Sequence, residues 1–290
     1  MLQTRNRIRS LLRSATIRAS LVSLLFGLPH LLPTASAQGI RPSGSFGFQI
    51  NAWVGPDGRN PQAVIGVLNF DGAGKVTGSF TIAFAQENPG PNDPPSGLGI
   101  PGALTGTYSS NPDGTGKMNI GGTIGPISGN VANFNSTLAM VITDGGAGLQ
   151  LVQTDPGGQL NSGTARAIGT VSGIPPNTSY GFQINKWTIF GGQQGVRPEV
   201  IIGALTFDGA GKVTVPITDV HASQDPSTET FTASGTYSTN ADGTGLMTLD
   251  VGGGQTVPIA MVITDSGAAC YLMFTTDDPG RLHSGIARRQ

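Results

Sequence analysis

A segment that occurs twice in the chain carries the side chains best suited to hold a small polar molecule. Gln49, Asn51 and Trp53 alternate along the first copy, so in a strand they share one face. Two amides beside an indole offer hydrogen-bond donors, acceptors and an apolar surface. If this face points into a barrel, it predicts a ligand site; if it points outward, these are ordinary surface or packing residues. The predicted site comprises Gln49, Asn51, Trp53 and Tyr108 in the first copy and Gln183, Asn185, Trp187 and Tyr237 in the second.

No catalytic machinery accompanies this face. Two histidines follow residue 37, His221 and His283, and neither has a counterpart in the first copy. We expect both to be solvated, His221 in a variable loop and His283 in a turn. The nucleophile-elbow motif G-x-S-x-G, the zinc motif H-E-x-x-H and the Walker glycine loop are absent from the sequence. The sequence therefore predicts a protein that is not an enzyme and that has no catalytic residues and no cofactor.

Four aspartates next to glycines are candidate calcium ligands. Asp71, Asp113, Asp208 and Asp242 recur at matching positions of the two copies, and Ca²⁺ prefers oxygen ligands. Their spacing fits neither the EF-hand loop nor the glycine-rich nonapeptide array. An aspartate in a hairpin turn also hydrogen-bonds its own backbone. We favour the turn interpretation, and the sequence predicts no metal site.

The elements that must position these residues belong to one long internal repeat. Three blocks define it: G-F-Q-I-N-x-W at 47–53 and 181–187, F-D-G-A-G-K-V-T at 70–77 and 207–214, and G-T-Y-S at 106–109 and 235–238. The blocks keep their lengths, whereas the segments between them differ in length. Loops on a fixed framework of strands have this property.

Within the blocks, apolar and polar residues alternate with a period of two, which is typical of half-buried strands. The first copy has about eight such runs, near 46–53, 63–71, 75–85, 103–110, 116–121, 134–144, 148–154 and 161–168. The second copy has the same number. The sequence therefore predicts an all-β chain of two tandem antiparallel eight-stranded up-and-down barrels, with two-sheet β-sandwiches as the alternative.

The first 37 residues have the pattern of a signal peptide. Five arginines and no acidic residue precede residue 20, an apolar run follows at 21–32, and an A-x-A sequence stands at 35–37. An uncleaved membrane anchor is the alternative. We therefore predict four segments: signal peptide 1–37, repeat 1 at 38–168, a Pro-containing linker at 169–177, and repeat 2 at 178–290. The protein is expected to be exported, either to the periplasm or beyond the cell, with membrane contact only through the targeting segment.

Charge and cysteine content limit the partners. The chain has 16 Lys and Arg residues, and loss of the five arginines leaves 11 against 17 Asp and Glu. An acidic protein without a basic stripe is not expected to bind nucleic acid. The single cysteine, Cys270, excludes an intrachain disulfide, and its alternating neighbours predict a buried small side chain.

The repeated blocks resemble a family of exported bacterial β-repeat proteins of uncharacterised function, over nearly the whole chain after residue 37. A weaker similarity is to the calycins, the lipocalin and avidin type of barrel, in which a first-strand Trp packs near a basic residue of the last strand. Trp53 with Arg166, and Trp187 with Arg288, would occupy those places. The lipocalin G-x-W spacing is absent, because Gly47 lies six residues before Trp53. The resemblance implies the barrel topology.

These observations support one hypothesis with two alternatives. The leading hypothesis is an exported, non-catalytic protein that binds a small molecule or a cell-surface partner through its two barrels. The first alternative is a structural or adhesive module of the cell envelope with solidly packed barrels. The second alternative is an outer-membrane β-barrel, against which stand short strands and an aromatic content of only 6%.

Overall fold

The computed structural model describes residues 40–54, 60–85, 99–127, 130–155, 160–170, 173–190, 195–221, 227–275 and 281–290. The predicted signal peptide therefore lies outside the described residues. Among the described residues, no helix is long and apolar enough to cross a membrane.

The described part of the chain forms sixteen strands, eight from each repeat. In chain order they are β1 Ser43–Val54, β2 Asn60–Asp71, β3 Lys75–Phe84, β4 Ile100–Ser110, β5 Thr115–Ile127, β6 Asn130–Thr143, β7 Gly148–Gln153, β8 Leu160–Ala167, β9 Thr178–Phe190, β10 Gly195–Phe207, β11 Lys212–His221, β12 Ser227–Thr239, β13 Thr244–Gly252, β14 Gln255–Thr264, β15 Ala269–Phe274 and β16 Arg281–Arg289. One-turn 3-10 helices at Asp144–Gly146 and Asp265–Gly267 join β6 to β7 and β14 to β15.

Each set of eight strands closes into an antiparallel up-and-down barrel, which we name barrel 1 (β1–β8) and barrel 2 (β9–β16). Closure comes from pairing of the first strand with the last, β1 with β8 and β9 with β16. The predicted fold is thus confirmed, and the β-sandwich alternative is wrong. Closure satisfies the backbone groups that an open sheet would leave unpaired at its two edges.

One end of each barrel is closed by three aromatic rings in edge-to-face contact. In barrel 1 the ring of Phe70 lies between Phe46 and Tyr108, with centroid separations of 5.3 and 5.0 Å. The Tyr108 hydroxyl donates a hydrogen bond of 2.9 Å to the carbonyl of Pro42. Edge-to-face pairing adds to the burial of each ring, and the bond satisfies the buried hydroxyl.

Barrel 2 repeats this aromatic end with a different hydrogen bond. The Phe207 ring contacts Tyr180 at 5.6 Å and Tyr237 at 4.8 Å. Here the Tyr180 hydroxyl donates to the Gly267 carbonyl at 2.5 Å. Both barrels are therefore packed solid at the end where β1 and β9 begin.

The repeated aspartates form the predicted hairpin turns. The Oδ1 atom of Asp71 accepts the backbone N–H groups of Ala73 and Lys75 at 2.7 and 2.8 Å. Asp208 makes the same pair of bonds in barrel 2. These N–H donors favour the charged carboxylate, so they hold the pKa of each aspartate below its ordinary value. The turn interpretation is confirmed for these residues.

Cys270 is buried in the core of barrel 2, as its alternating neighbours predict. Burial disfavours the thiolate and raises the pKa of the thiol to about 12. The side chain therefore behaves as a small apolar residue.

Candidate functional site

The repeated Gln, Asn and Trp side chains lie on the outer face of each barrel. In β1 the side chains of Phe48 and Ile50 point into barrel 1 and pack in its core. Alternation along the strand then directs Gln49, Asn51 and Trp53 outward. The interior floor of amides and indole that a ligand site would require on this face is not formed. The sequence left both orientations open, and the outward one is correct.

In the first copy this outer face packs against barrel 2. The indole rings of Trp53 and Trp187 meet edge to face, with centroids 5.0 Å apart. The Ser284 hydroxyl donates a hydrogen bond of 2.8 Å to the Asn51 side chain. Behind these contacts lies an apolar cluster shared by the two barrels, which includes Ala63, Ile65, Val67, Ala83, Val262, Tyr271, Met273 and Leu282.

The other predicted site residues lie elsewhere. Gln183 and Asn185 are exposed on the outer face of β9. Tyr108 and Tyr237 point inward, but they belong to the packed aromatic ends of the two barrels. In neither copy does the structure therefore bring the four predicted residues together into an interior site.

The barrel interiors differ in how far they are filled. A cavity of about 630 Å³ lies inside barrel 2, whereas the cavity of barrel 1 measures about 280 Å³. In barrel 1 the rings of Phe80 and Phe134 meet edge to face at 5.7 Å across the interior. Ile217 takes the place of Phe80 in barrel 2. The smaller side chain leaves room that barrel 1 does not have.

A buried ion pair lies beside the cavity of barrel 2. Lys186 on β9 and Glu199 on β10 are cross-strand neighbours, and both side chains point inward. The Lys186 Nζ atom lies 2.5 Å from Glu199 Oε2 and 3.6 Å from Asp219 Oδ2. The Thr188 hydroxyl donates a longer bond of 3.4 Å to Glu199 Oε1. Three charged groups thus meet where the barrel is out of bulk water.

His283 completes this cluster, and its prediction as a solvated turn residue is wrong. It lies on β16 as the cross-strand neighbour of Lys186, and the residue is only 9% exposed. Its ring packs against Phe274 with centroids 4.6 Å apart, and its Nε2 atom has no hydrogen-bond partner among the described residues. Burial, followed by the charges of Lys186 and Arg281, lowers the pKa of His283 to about 3. The imidazole is therefore neutral at pH 7. We name Lys186, Glu199, Asp219 and His283 the polar cluster.

Barrel 1 folds without a comparable cluster. Its residues at the four equivalent positions are Ala52, Gln62, Ile82 and Asn161. An eight-stranded barrel of this repeat therefore closes without any of the four polar-cluster side chains. One sequence signal was available for them: Lys186 continues the inward alternation of Phe182 and Ile184, where an apolar residue is expected.

No protein family and no curated protein matches the chain. Among solved structures, the chain is similar to the crystal structure of the beta domain of the Bordetella autotransporter Brka. The two share 12% sequence identity, and the alignment covers 84% of this chain and 98% of that chain with a TM-score of 0.16. A TM-score this low carries no argument about fold or function. The resemblance to exported β-repeat proteins stays a prediction.

Proposed function

We propose that the protein is an exported, non-catalytic binding protein whose barrel 2 takes up a small amphipathic molecule. The observation that carries the proposal is the cavity of about 630 Å³ bordered by the polar cluster. Ligand sites in proteins measure about 300–1,000 Å³ and combine apolar walls with a few placed polar groups. The cavity of barrel 2 has both properties. Barrel 1, which has the smaller cavity, packs against barrel 2 and takes up no ligand.

The energetics of burial support a functional origin of the polar cluster. Removing two charges from water carries a desolvation penalty of several kcal/mol per ion, which their mutual attraction repays only in part. A buried imidazole nitrogen without a hydrogen bond adds a penalty of about 1–3 kcal/mol. Barrel 1 avoids the first penalty, because its side chains at these positions are uncharged. Groups that the fold does not need and that lower its stability are candidates for binding.

The arrangement of the walls indicates the chemistry of the ligand. Side chains from several strands give the cavity an apolar wall: Phe182, Ile184, Ile217, Met247, Leu249 and Leu272. The cluster presents an ammonium group, two carboxylates and the open His283 Nε2 atom. A molecule with an apolar body and a head group that both donates and accepts hydrogen bonds matches this lining.

The two alternatives receive less support. A purely structural module agrees with barrel 1, whose interior is filled by Phe48, Phe80 and Phe134, but it leaves the hollow barrel 2 unexplained. An outer-membrane barrel requires an apolar outer band. The outward side chains of β3 and β4 are instead mostly threonine and serine, and those of Thr77, Ser79, Thr105 and Thr107 are exposed. Such faces favour contact with water over lipid.

Titration of the full exported chain with 1-anilinonaphthalene-8-sulfonate tests the proposal, because this probe joins an apolar body to a charged head group. We expect saturable fluorescence enhancement with one probe per chain. Ile184→Phe places a larger side chain in the cavity of barrel 2 and should weaken binding at least tenfold. Ile50→Phe is the matched control, since Ile50 occupies the equivalent position in barrel 1 and lines its smaller cavity.

Two results of this titration would overturn the proposal. The first is unsaturable or absent enhancement with the unmodified chain. The second is equal binding by the Ile184→Phe and Ile50→Phe variants, which would place the probe outside barrel 2. Circular dichroism of each variant verifies that both barrels remain folded.

A further inference from the structure

The contact between the two barrels joins unlike surfaces of two similar domains. Barrel 1 contributes the outer side of β1–β3, which we name the front face, with Gln49, Asn51, Trp53, Ala63, Ile65 and Ala83. Barrel 2 contributes the outer side of β14–β16, which we name the rear face, with Val262, Tyr271, Met273, Leu282 and Ser284. Because the barrels are repeats, barrel 2 also has a front face and barrel 1 also has a rear face. Within the part of the chain that the structure describes, both of these faces remain uncovered.

The front face of barrel 2 keeps its apolar residues although none of the described residues covers them. Ile65 is 2% exposed beneath barrel 2, whereas its equivalent Ile202 is 47% exposed. Ala83 is fully buried, and its equivalent Val220 is exposed. The open face is therefore more apolar at this position than the covered one.

The rear face of barrel 1 has the same property. Val262 is 2% exposed against barrel 1, and its equivalent Val141 is 48% exposed. Val152, the equivalent of the fully buried Met273, is likewise exposed. The described residues include eight large hydrophobic side chains in the exposed class, and four of these lie on the two open faces. This clustering differs from the scattered exposed apolar residues of an ordinary surface.

The contact between the two barrels of one chain, which we name the internal interface, includes a hydrogen bond whose two side chains recur on the open faces. Asn51 accepts a hydrogen bond from Ser284, and their equivalents, Asn185 on the open front face and Ser162 on the open rear face, are both exposed. These two residues retain the side chains that form the bond inside the chain.

An ion pair also crosses the internal interface. Arg166 at the edge of the covered front face pairs with Asp265 of barrel 2 at 2.9 Å, and it also pairs with Asp144 of its own barrel. The equivalent residues are Arg288 beside the open front face and Asp144 beside the open rear face, and both are exposed. The two open faces thus carry opposite charges at positions that meet in the internal interface, although Asp144 already has Arg166 as a partner.

The two barrels lie close together at Gly47. A Cβ atom on Gly47 would lie 2.6 Å from the Cγ1 atom of Val262, so only glycine fits at this position of the covered front face. The open front face has Gly181 there, and the open rear face has Val141 as the equivalent of Val262. The same steric match is available between two chains once the Gln290 side chain, whose Nε2 atom lies 3.0 Å from a Cβ placed on Gly181, moves aside.

One barrel can use both faces at once. On the outer side of β16, Leu282 and Ser284 belong to the rear face of barrel 2, and the opposite end of the strand carries Ile286 and Arg288, beside its front face. The faces therefore meet at β16. Trp187, which contacts Trp53, and Ile286, which packs against the apolar cluster shared by the two barrels, border both of them.

We propose that the open front face of barrel 2 binds the open rear face of barrel 1 in a second copy of this chain. The contact repeats the interface that already joins the two barrels, so it is head to tail. Such contacts close into a ring when the rotation permits and otherwise grow into a filament. The proposal is independent of ligand uptake by barrel 2.

Sedimentation velocity of the full exported chain over a wide concentration range tests the contact. We expect oligomers that grow with concentration. Ile202→Asp on the open front face and Val141→Asp on the open rear face should each weaken association at least tenfold, since each places a charge in an apolar contact. Both sites are exposed, so the fold should survive. Thr107→Asp is the control, because Thr107 is exposed on β4, outside both faces.

Mixing the two variants distinguishes a head-to-tail contact from a symmetric one. The Val141→Asp chain keeps an intact front face, and the Ile202→Asp chain keeps an intact rear face. Their mixture should form a dimer that does not grow further. A chain that stays monomeric at every concentration, or oligomers that survive both substitutions, would overturn the proposal.

Engineered disulfides test which residues of the two chains face each other in the proposed contact. Chains with Asn185→Cys and Ser162→Cys should form a ladder of covalent oligomers under oxidising conditions, since Asn51 and Ser284 lie 2.8 Å apart in the internal interface. The single native thiol, Cys270, is buried and does not compete. Absence of the ladder in a chain that does oligomerise would show that another surface makes the contact.

Discussion

Replacement of His283 by asparagine should remove a large part of the acid sensitivity of the protein. Asparagine is the residue that barrel 1 has at the equivalent position, Asn161, so this repeat accepts it. His283 has a pKa of about 3 in the folded state, against 6.5 for the unperturbed side chain. The unfolded chain therefore binds a proton that the folded chain excludes over this whole interval.

The direction and magnitude of the change in stability with pH follow from the difference between the folded and unfolded pKa values of His283. Because the folded-state pKa lies below the unfolded one, the contribution of His283 to stability is constant above about pH 6.5 and falls with pH down to about pH 3. Each pH unit within the window lowers the free energy of unfolding by about 1.4 kcal/mol. Between pH 7 and pH 4.5 the loss amounts to about 2.5 kcal/mol.

Equilibrium urea unfolding at pH 7.0, 5.5 and 4.5 measures this loss in the unmodified chain and in the His283→Asn variant. Loss of the contact with Phe274 lowers the stability of the variant by a similar amount at every pH, and the carboxylates titrate in both proteins. The difference in pH dependence therefore isolates His283. If both proteins lose the same free energy between pH 7.0 and pH 4.5, His283 is not held neutral in the folded barrel.

Three further sets of substitutions test the packing described above. Lys186→Ala should lower the free energy of unfolding by about 3 kcal/mol or more, because it leaves Glu199 charged and buried. The double variant with Glu199→Gln, which restores the residues of barrel 1, should recover most of this loss in the same urea measurement. Ile65→Ala should cost about 2–4 kcal/mol by opening a cavity between the barrels, whereas Ile202→Ala should change stability by less than about 0.5 kcal/mol in thermal unfolding. Equal effects at these two equivalent positions would contradict the buried interface. Tyr108→Phe should cost about 1 kcal/mol through loss of the bond to Pro42, and an unchanged urea midpoint would contradict that bond.

The strand framework was predictable because its determinants are local. Alternating side chains identify strands, and Asp71 with its following glycines identifies a hairpin turn from a few adjacent residues. Eight strands with short connections then favour closure. Some boundaries shifted: β6 begins at Asn130, four residues before the predicted start, and β5 ends at Ile127. Pairing with neighbouring strands extends both beyond the alternating core.

The direction of the Trp53 face was not decidable from the strand itself. Both sides of β1 carry large apolar side chains, Phe48 and Ile50 on one and Trp53 on the other. The second side is apolar because it packs against barrel 2, and a tertiary contact of this kind has no local signature. The alternation therefore assigned the side chains of β1 to two faces correctly, but it did not show which face points into the barrel.

The polar cluster depends on contacts between residues far apart in sequence. Lys186, Glu199 and His283 come from three different strands, and they become neighbours only when β9 pairs with both β10 and β16. His283 follows a Gly-containing segment, which favoured a turn. In the structure it lies on a strand whose inward positions continue with Gly285 and Ala287. Comparison of inward positions between the repeats would have singled out the charged residues.

Uptake of a small molecule by barrel 2 is tested most directly by native mass spectrometry of the full exported chain, purified from its own source without denaturant. We expect each chain to carry one bound small molecule, which is absent from the Ile184→Phe variant and retained by Ile50→Phe. A chain whose mass corresponds to the bare polypeptide, or a bound molecule that the Ile184→Phe variant retains in full, would contradict the proposed function.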